Sequence, residues 1–118
     1  MEKRLITLLS ELVQINSINQ TLSGGPGERQ LSESIARRLN SLRLEAEIQT
    51  VGPDQSNVTA IIAGHDRQRS LLLNAHLDTV GVDGMDQPFT LKRKEDRLYG
   101  RGTYDMKGSV AVMLLLAD

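Results

Sequence analysis

The feature that most constrains this chain is a short, nearly continuous apolar run, Ser-Leu-Leu-Leu-Asn-Ala, at Ser70–Ala75. A run of this length without polar alternation predicts a β-strand that is buried on both of its faces. Such a strand lies inside a sheet that other elements cover on either side. The remainder of the chain is therefore expected to supply neighbouring strands and covering helices.

Helical periodicity precedes this run, and further strand-like segments surround it. Apolar residues recur at helical spacing from about Glu2 to Gln14 and again from Glu28 to Leu42, which predicts two amphipathic helices. Residues 106–117 are apolar on every side, and their length favours a buried helix, although periodicity alone does not separate helix from strand. Strand-like runs lie at residues 45–51, 58–63, 89–93 and 97–99, the last two as a hairpin. This order of elements predicts an α/β fold in three layers.

Length and composition limit the classes of protein to which the chain could belong. Its 118 residues correspond to at most one ordinary domain, and a net charge of −1 with 3% aromatic residues argues against nucleic acid as a partner. Without cysteine, any metal must be held by histidine, aspartate or glutamate. No apolar run is long enough to cross a membrane, and the N-terminus lacks the features of a signal peptide, so we expect a cytoplasmic protein without a membrane partner.

The first candidate for chemistry is the segment that follows the apolar run. His76 is expected at the carboxyl end of that strand, where ligands bind in open α/β sheets. A lone histidine at such a position is often only structural. Asp78, two residues further on, can return to the same side and accept a hydrogen bond from the imidazole, as the carboxylates beside metal-binding histidines do. His-x-Asp by itself is a weak pattern.

Asp105 is the second candidate, and it has two interpretations. It precedes the last apolar segment and could serve as the N-cap of a helix there. Alternatively, its two oxygens could bridge two metal ions, which hydrolytic sites with two metals hold roughly 3.5–4 Å apart. The neighbouring Gly100, Gly102 and Gly108 allow tight turns around such a carboxylate.

Taken together, two segments resemble the leading signatures of one enzyme family. Asn74–Val80, with the sequence Asn-Ala-His-Leu-Asp-Thr-Val, and Leu98–Gly108, with Leu-Tyr-Gly-Arg-Gly-Thr-Tyr-Asp-Met-Lys-Gly, are similar to those of the M20 metallopeptidases. That family includes acetylornithine deacetylase, succinyl-diaminopimelate desuccinylase, aminoacylase and carboxypeptidase G2-like enzymes. The similarity is sharp between Leu71 and Gly108 and only general in the N-terminal helices.

The resemblance implies a three-layer zinc-exopeptidase fold with two zinc ions, or sometimes cobalt or manganese. By resemblance, His76 binds one metal, Asp78 orients His76, and Asp105 bridges both metals. The implied reaction is hydrolysis of the amide of an N-acyl amino acid, or of a C-terminal peptide bond, by a metal-activated water. Deacylation is favoured slightly over peptide cleavage, and the complete enzyme is expected to be a homodimer.

The chain also departs from the family pattern. The family's glutamate pair, a further carboxylate ligand and a last histidine have no counterparts in it, and Gly81 stands where many members have proline. The last apolar run lacks a C-terminal cap. We therefore expect residues 1–118 to form the N-terminal part of a catalytic domain and to be inactive alone. The alternative is a non-catalytic, truncated or degenerate module that retains the start of the fold.

Overall fold

The computed structural model describes all 118 residues and contains four helices and four short strands. In chain order these are α1 (Glu2–Gln14), α2 (Gln20–Ser23), α3 (Arg29–Ser41), β1 (Glu47–Thr50), β2 (Ser56–Thr59), β3 (Lys92–Lys94), β4 (Arg97–Tyr99) and α4 (Gly108–Leu116). The chain thus combines helix and sheet, as predicted. No helix in it is long and apolar enough to cross a membrane.

The two predicted amphipathic helices are confirmed almost to the residue. In α1, apolar side chains spaced three or four residues apart face inward, and the helix ends where Ile15 becomes extended. In α3, a similar stripe is buried, and the chain turns away after Leu42. The segment between them contains the single turn of α2, because the side chain of Asn19 caps it and Gly24 ends it in a left-handed conformation.

The sheet is smaller than the sequence suggests. It consists of two separate antiparallel pairs, β1 with β2 and β3 with β4. The hairpin of β3 and β4 is the one predicted, whereas β2 ends at Thr59, short of the predicted Ala63. Within these 118 residues the fold does not contain a central sheet between two helical layers.

The prediction for Ser70–Ala75 is wrong. This segment is not a strand, and residues 61–76 form no backbone-to-backbone hydrogen bond. Leu71 and Leu72 are 85% and 86% exposed, when both were expected to be buried. A strand exists only where neighbouring strands accept and donate its backbone hydrogen bonds, and none of the other strands in this chain reaches the segment.

The hydrophobic core lies among three helices. Helix α1 packs against α4, and α3 packs against β2. Each buried leucine contributes about 1.5–3 kcal/mol by leaving water. The last predicted segment does form a helix, but it is buried on one side only, since Val112 and Leu116 are exposed. The core side chains are Leu8, Leu9, Leu12, Val13, Leu31, Ile35, Leu39, Val110, Ala111 and Leu114.

Candidate functional site

The three residues singled out from the sequence lie around one imidazole ring. The Nδ1 atom of His76 is 3.1 Å from the backbone oxygen of Asp78 and 3.3 Å from its carboxylate Oδ1. The opposite ring nitrogen, Nε2, is 2.8 Å from Oδ1 of Asp105. One carboxylate therefore faces each ring nitrogen, although Asp105 is 27 residues beyond Asp78 in the sequence.

The carboxylates also determine the charge state of the ring. Burial alone would lower the pKa of His76, but the hydrogen bond with Asp105, the backbone oxygen of Asp78 and the two negative charges outweigh it. The pKa of His76 is consequently raised above its ordinary value. The side chain of His76 is half exposed.

Asp105 does not act as a helix cap. Helix α4 begins at Gly108 after Lys107, and no side chain caps its N-terminus. The carboxylate of Asp105 is instead 77% exposed, and its Oδ1 lies 2.8 Å from Nε2 of His76. The peptide bond from Asp105 to Met106 is cis. The N-cap interpretation is therefore not supported by the geometry.

The turn that presents Asp105 is held from beneath by Lys107. This lysine is only 1% exposed, and its Nζ donates hydrogen bonds to the backbone oxygens of Leu12, at 2.9 Å, and Ile15, at 2.7 Å. It thereby adds to the hydrogen bonds of the carbonyl groups at the C-terminal end of α1, where the oxygen of Leu12 otherwise accepts only the N–H of Ile15, at 3.4 Å. Burial lowers the pKa of Lys107 to about 8.

Gly102 allows this turn to pack closely. Its φ of +79° is a left-handed conformation that suits glycine. A Cβ atom at this position would lie 2.9 Å from the Cγ2 atom of Thr79 and 3.2 Å from the Cδ atom of Lys107. The turn containing Asp105 is thus seated directly against the segment that carries Asp78.

Sequence reasoning did not identify two residues of this region. Asn19 donates a hydrogen bond from Nδ2 to Oδ2 of Asp78 at 2.8 Å, and Lys107 anchors the turn. Asn19 had a detectable signal, because an asparagine five residues before a Gly-Gly pair fits the N-cap of a short helix. Lys107 had none, because local sequence does not reveal that a lysine will be buried.

The donor set suits a metal in type but not in number. Imidazole nitrogen and carboxylate oxygen are both zinc ligands, and Nε2 of His76 and Oδ1 of Asp105 face each other. Asp78, however, lies on the other side of the ring, so the three residues do not converge on one point. The chain contains no group of three or more His, Cys, Asp or Glu side chains that could hold a metal ion. It therefore offers two donors of a site that needs more.

Comparison with known proteins shows that part of this chain is similar to one described family. Residues 72–118 match the family described as Peptidase family M20/M25/M40. The matched range contains His76, Asp78 and Asp105 together. The resemblance to the M20 metallopeptidases that the two motifs indicated is thereby confirmed.

Particular relatives extend the similarity along the whole chain. It is 30% identical over 118 residues to a probable succinyl-diaminopimelate desuccinylase of Staphylococcus aureus (strain MRSA252), covering 97% of this chain and 27% of the relative. It is 34% identical over 113 residues to the acetylornithine deacetylase of Proteus mirabilis (strain HI4320), covering 92% and 29%. The acetylornithine deacetylase of Photorhabdus laumondii is 36% identical over 114 residues, with the same coverage. The chain thus spans less than a third of the length of these relatives.

Proposed function

We propose that this chain is the N-terminal part of the catalytic domain of an M20 hydrolase that cleaves the amide bond of an N-acyl amino acid. The observation that carries the proposal is the placement of one carboxylate at each nitrogen of the His76 ring. An ordinary surface histidine has no need of two such partners. The names of the relatives, a desuccinylase and two deacetylases, support removal of an acyl group.

Each residue of the site has a distinct role in this proposal. His76 would hold one zinc ion through Nε2, and Asp105 would be a carboxylate ligand shared by both ions. The backbone oxygen of Asp78, at 3.1 Å, and its carboxylate, at 3.3 Å, lie at Nδ1, so a proton held there would fix the ring tautomer and leave the Nε2 lone pair for the metal. The zinc ions, or cobalt or manganese in their place, would polarise the substrate carbonyl and activate a water molecule. The turn anchored by Lys107 keeps Asp105 in reach of the ring.

The proposal extends to the whole enzyme, of which this chain would be one part. We propose a three-layer zinc-exopeptidase fold for the whole enzyme, in which further residues cover the exposed leucines at 71 and 72. Their exposure supports this, since apolar side chains are costly to leave in water. We further propose a cytoplasmic homodimer with small acylated amino acids or peptides as substrates, and with neither nucleic acid nor membrane as partner.

A zinc titration of the 118-residue chain tests the metal site. With the imidazole nitrogens labelled by ¹⁵N, Zn²⁺ is expected to shift the ring signals of His76 and to leave those of the exposed His65 unchanged. The Asp105→Ala variant should weaken the response, and His76→Ala should remove it. Because two donors hold zinc weakly, elemental analysis after gel filtration should find much less than one zinc per chain. Tight stoichiometric zinc would contradict this picture of a partial site.

Activity provides the second test. The 118-residue chain alone should hydrolyse neither acetylornithine nor succinyl-diaminopimelate. In a protein that joins this chain to the remaining length of such relatives, His76→Ala or Asp105→Ala should abolish metal-dependent hydrolysis, with His65→Ala as the matched control. Activity within tenfold of the parent in either site variant would count against the assigned roles.

A second candidate function is a non-catalytic module. One specific observation favours it for the isolated chain, namely the lack of a third metal donor near His76 and Asp105. The two candidates differ in one measurable respect. A chain that is part of an enzyme gains hydrolytic activity when the remaining length of the catalytic domain is supplied, whereas a non-catalytic module does not.

A further inference from the structure

Asn19 is held in one orientation by two partners of opposite character. Its Oδ1 accepts a hydrogen bond from the backbone N–H of Leu22 at 2.8 Å, and its Nδ2 donates to Oδ2 of Asp78 at 2.8 Å. A backbone N–H can only donate and a carboxylate can only accept, so the two ends of the amide cannot be exchanged. The side chain therefore connects the N-terminus of α2 to Asp78.

The backbone around this contact is fixed independently of Asn19's side chain. The N–H of Thr79 donates to the oxygen of Ser17 at 2.9 Å, and the N–H of Asn19 donates to the oxygen of Thr79 at 2.8 Å. The hydroxyl of Ser17, which is fully buried, donates to the oxygen of Leu77 at 2.8 Å. These bonds align the two segments side by side, so the contact between Asn19 and Asp78 is part of the fold.

The two oxygens of Asp78 consequently have separate partners. Oδ2 receives the hydrogen bond of Asn19, while Oδ1 lies 3.3 Å from Nδ1 of His76, beside the backbone oxygen of Asp78, which is 3.1 Å from the same nitrogen. A carboxylate that is anchored at one oxygen has a restricted rotation about its Cβ–Cγ bond. The other oxygen is then kept toward the imidazole, which a freely rotating, one-third-exposed carboxylate would not guarantee.

We propose that Asn19 is a positioning residue of the metal site, which acts through Asp78 to orient the His76 ring toward the metal. It does not touch the ring, and its effect is transmitted by a single carboxylate. The inference rests on the proposed function in so far as the ring faces a metal. Loss of a group that orients a metal-binding histidine weakens metal binding by about 10- to 100-fold. Because Asn19 contacts Asp78 and not the histidine itself, we expect a smaller effect from its loss.

The experiment uses the 118-residue chain with Zn²⁺ as the probe and the ¹⁵N ring signals of His76 as the readout. In Asn19→Ser the hydroxyl can still cap α2, since serine is a good N-cap, but it is too short to reach Asp78 as well. We expect the apparent Kd for Zn²⁺ at His76 to rise by about fivefold to tenfold. The melting curve should stay close to that of the unmodified chain.

A matched control separates this role from a general loss of structure. Asn40 also accepts a backbone N–H bond through Oδ1, from Ala46 at 3.0 Å, but it contacts no carboxylate. Asn40→Ser should leave the zinc affinity unchanged. When Asp78→Ala is already present, adding Asn19→Ser should cause no further loss of zinc affinity, because the carboxylate through which Asn19 acts has been removed.

Several results would overturn the proposal. The first is a Kd for Zn²⁺ in Asn19→Ser that stays within twofold of that of the parent chain. The second is an equal rise of this Kd in Asn40→Ser. The third is a rise of the Kd on adding Asn19→Ser to Asp78→Ala that is as large as in the parent chain. Should Asn19→Ser fail to fold, Asn19→Asp keeps the cap and sets two carboxylates against each other. The ring signals of His76 must then differ from those of the parent chain, and unchanged signals refute the role.

Failure of the proposed function would look different. In that case Zn²⁺ would leave the His76 signals of the parent chain unmoved. The orienting role is then tested without metal, from the ¹⁵N ring shifts of the parent and variant chains at the same pH. Asn19→Ser should still change the ¹⁵N shift of Nδ1 relative to the parent chain, while His65 stays constant. An unchanged Nδ1 shift would reject the role of Asn19 itself.

Discussion

The contribution of Lys107 to the stability of the chain should increase as the pH is raised from 7 to 9. This side chain is almost fully buried, with Nζ bonded to the backbone oxygens of Leu12 and Ile15. Two carbonyl oxygens replace only part of the hydration that an ammonium group loses. The pKa of Lys107 is accordingly lowered from 10.5 to about 8.

The direction follows from which state binds more protons. Between pH 8 and 10.5 the unfolded chain keeps the proton on Lys107, whereas the folded chain has lost it. The contribution of Lys107 to the free energy of unfolding therefore rises with pH across this window and is lowest below pH 8. With these two pKa values, the increase between pH 7 and 9 is on the order of 1 kcal/mol.

Urea unfolding with EDTA present measures this effect without metal. The free energies of unfolding of the unmodified chain and of Lys107→Met are compared at pH 7 and at pH 9. Methionine is long and apolar and has no proton to lose, so it serves as the reference for all other titrating groups. The difference between the two proteins should shift by about 1 kcal/mol in favour of lysine at the higher pH. A difference constant within about 0.3 kcal/mol would refute the argument that burial controls the pKa of this lysine.

Two further predictions concern the packing around the site. Leu31→Ala, at a fully buried position of α3, should lower the free energy of unfolding by about 2–5 kcal/mol, whereas Leu22→Ala, at a position 79% exposed, should change it by less than about 0.5 kcal/mol. Equal effects would contradict the core assignment. Gly102→Ala should cost about 1–3 kcal/mol, because a Cβ at φ +79° would lie 2.9 Å from Thr79. Urea unfolding checks it, and an unchanged midpoint would show that the turn adapts.

Much of the helical structure could be predicted because its cause is local. The apolar spacing in α1 and α3 buries one face of each helix, and the structure places both within about a residue of the predicted bounds. The hairpin of β3 and β4 could also be predicted, since its turn lies between two short strand-like runs. The predicted strand at Ser70–Ala75 failed because its cause is not local. Apolar content indicates burial, but a strand also needs partners for its backbone.

The candidate site likewise has features that are local in the sequence and features that depend on the tertiary structure. The sequence by itself determined which residue types are available, namely a histidine with an aspartate two residues on and a second aspartate inside a glycine-rich turn. Only the tertiary structure decided that Asp105 reaches the Nε2 side of His76, opposite Asp78. It also decided that Asn19 anchors Asp78. The physical reason is that periodicity and turn chemistry act over a few residues, whereas these contacts join segments 29 and 59 residues apart, and only the packed fold brings them together.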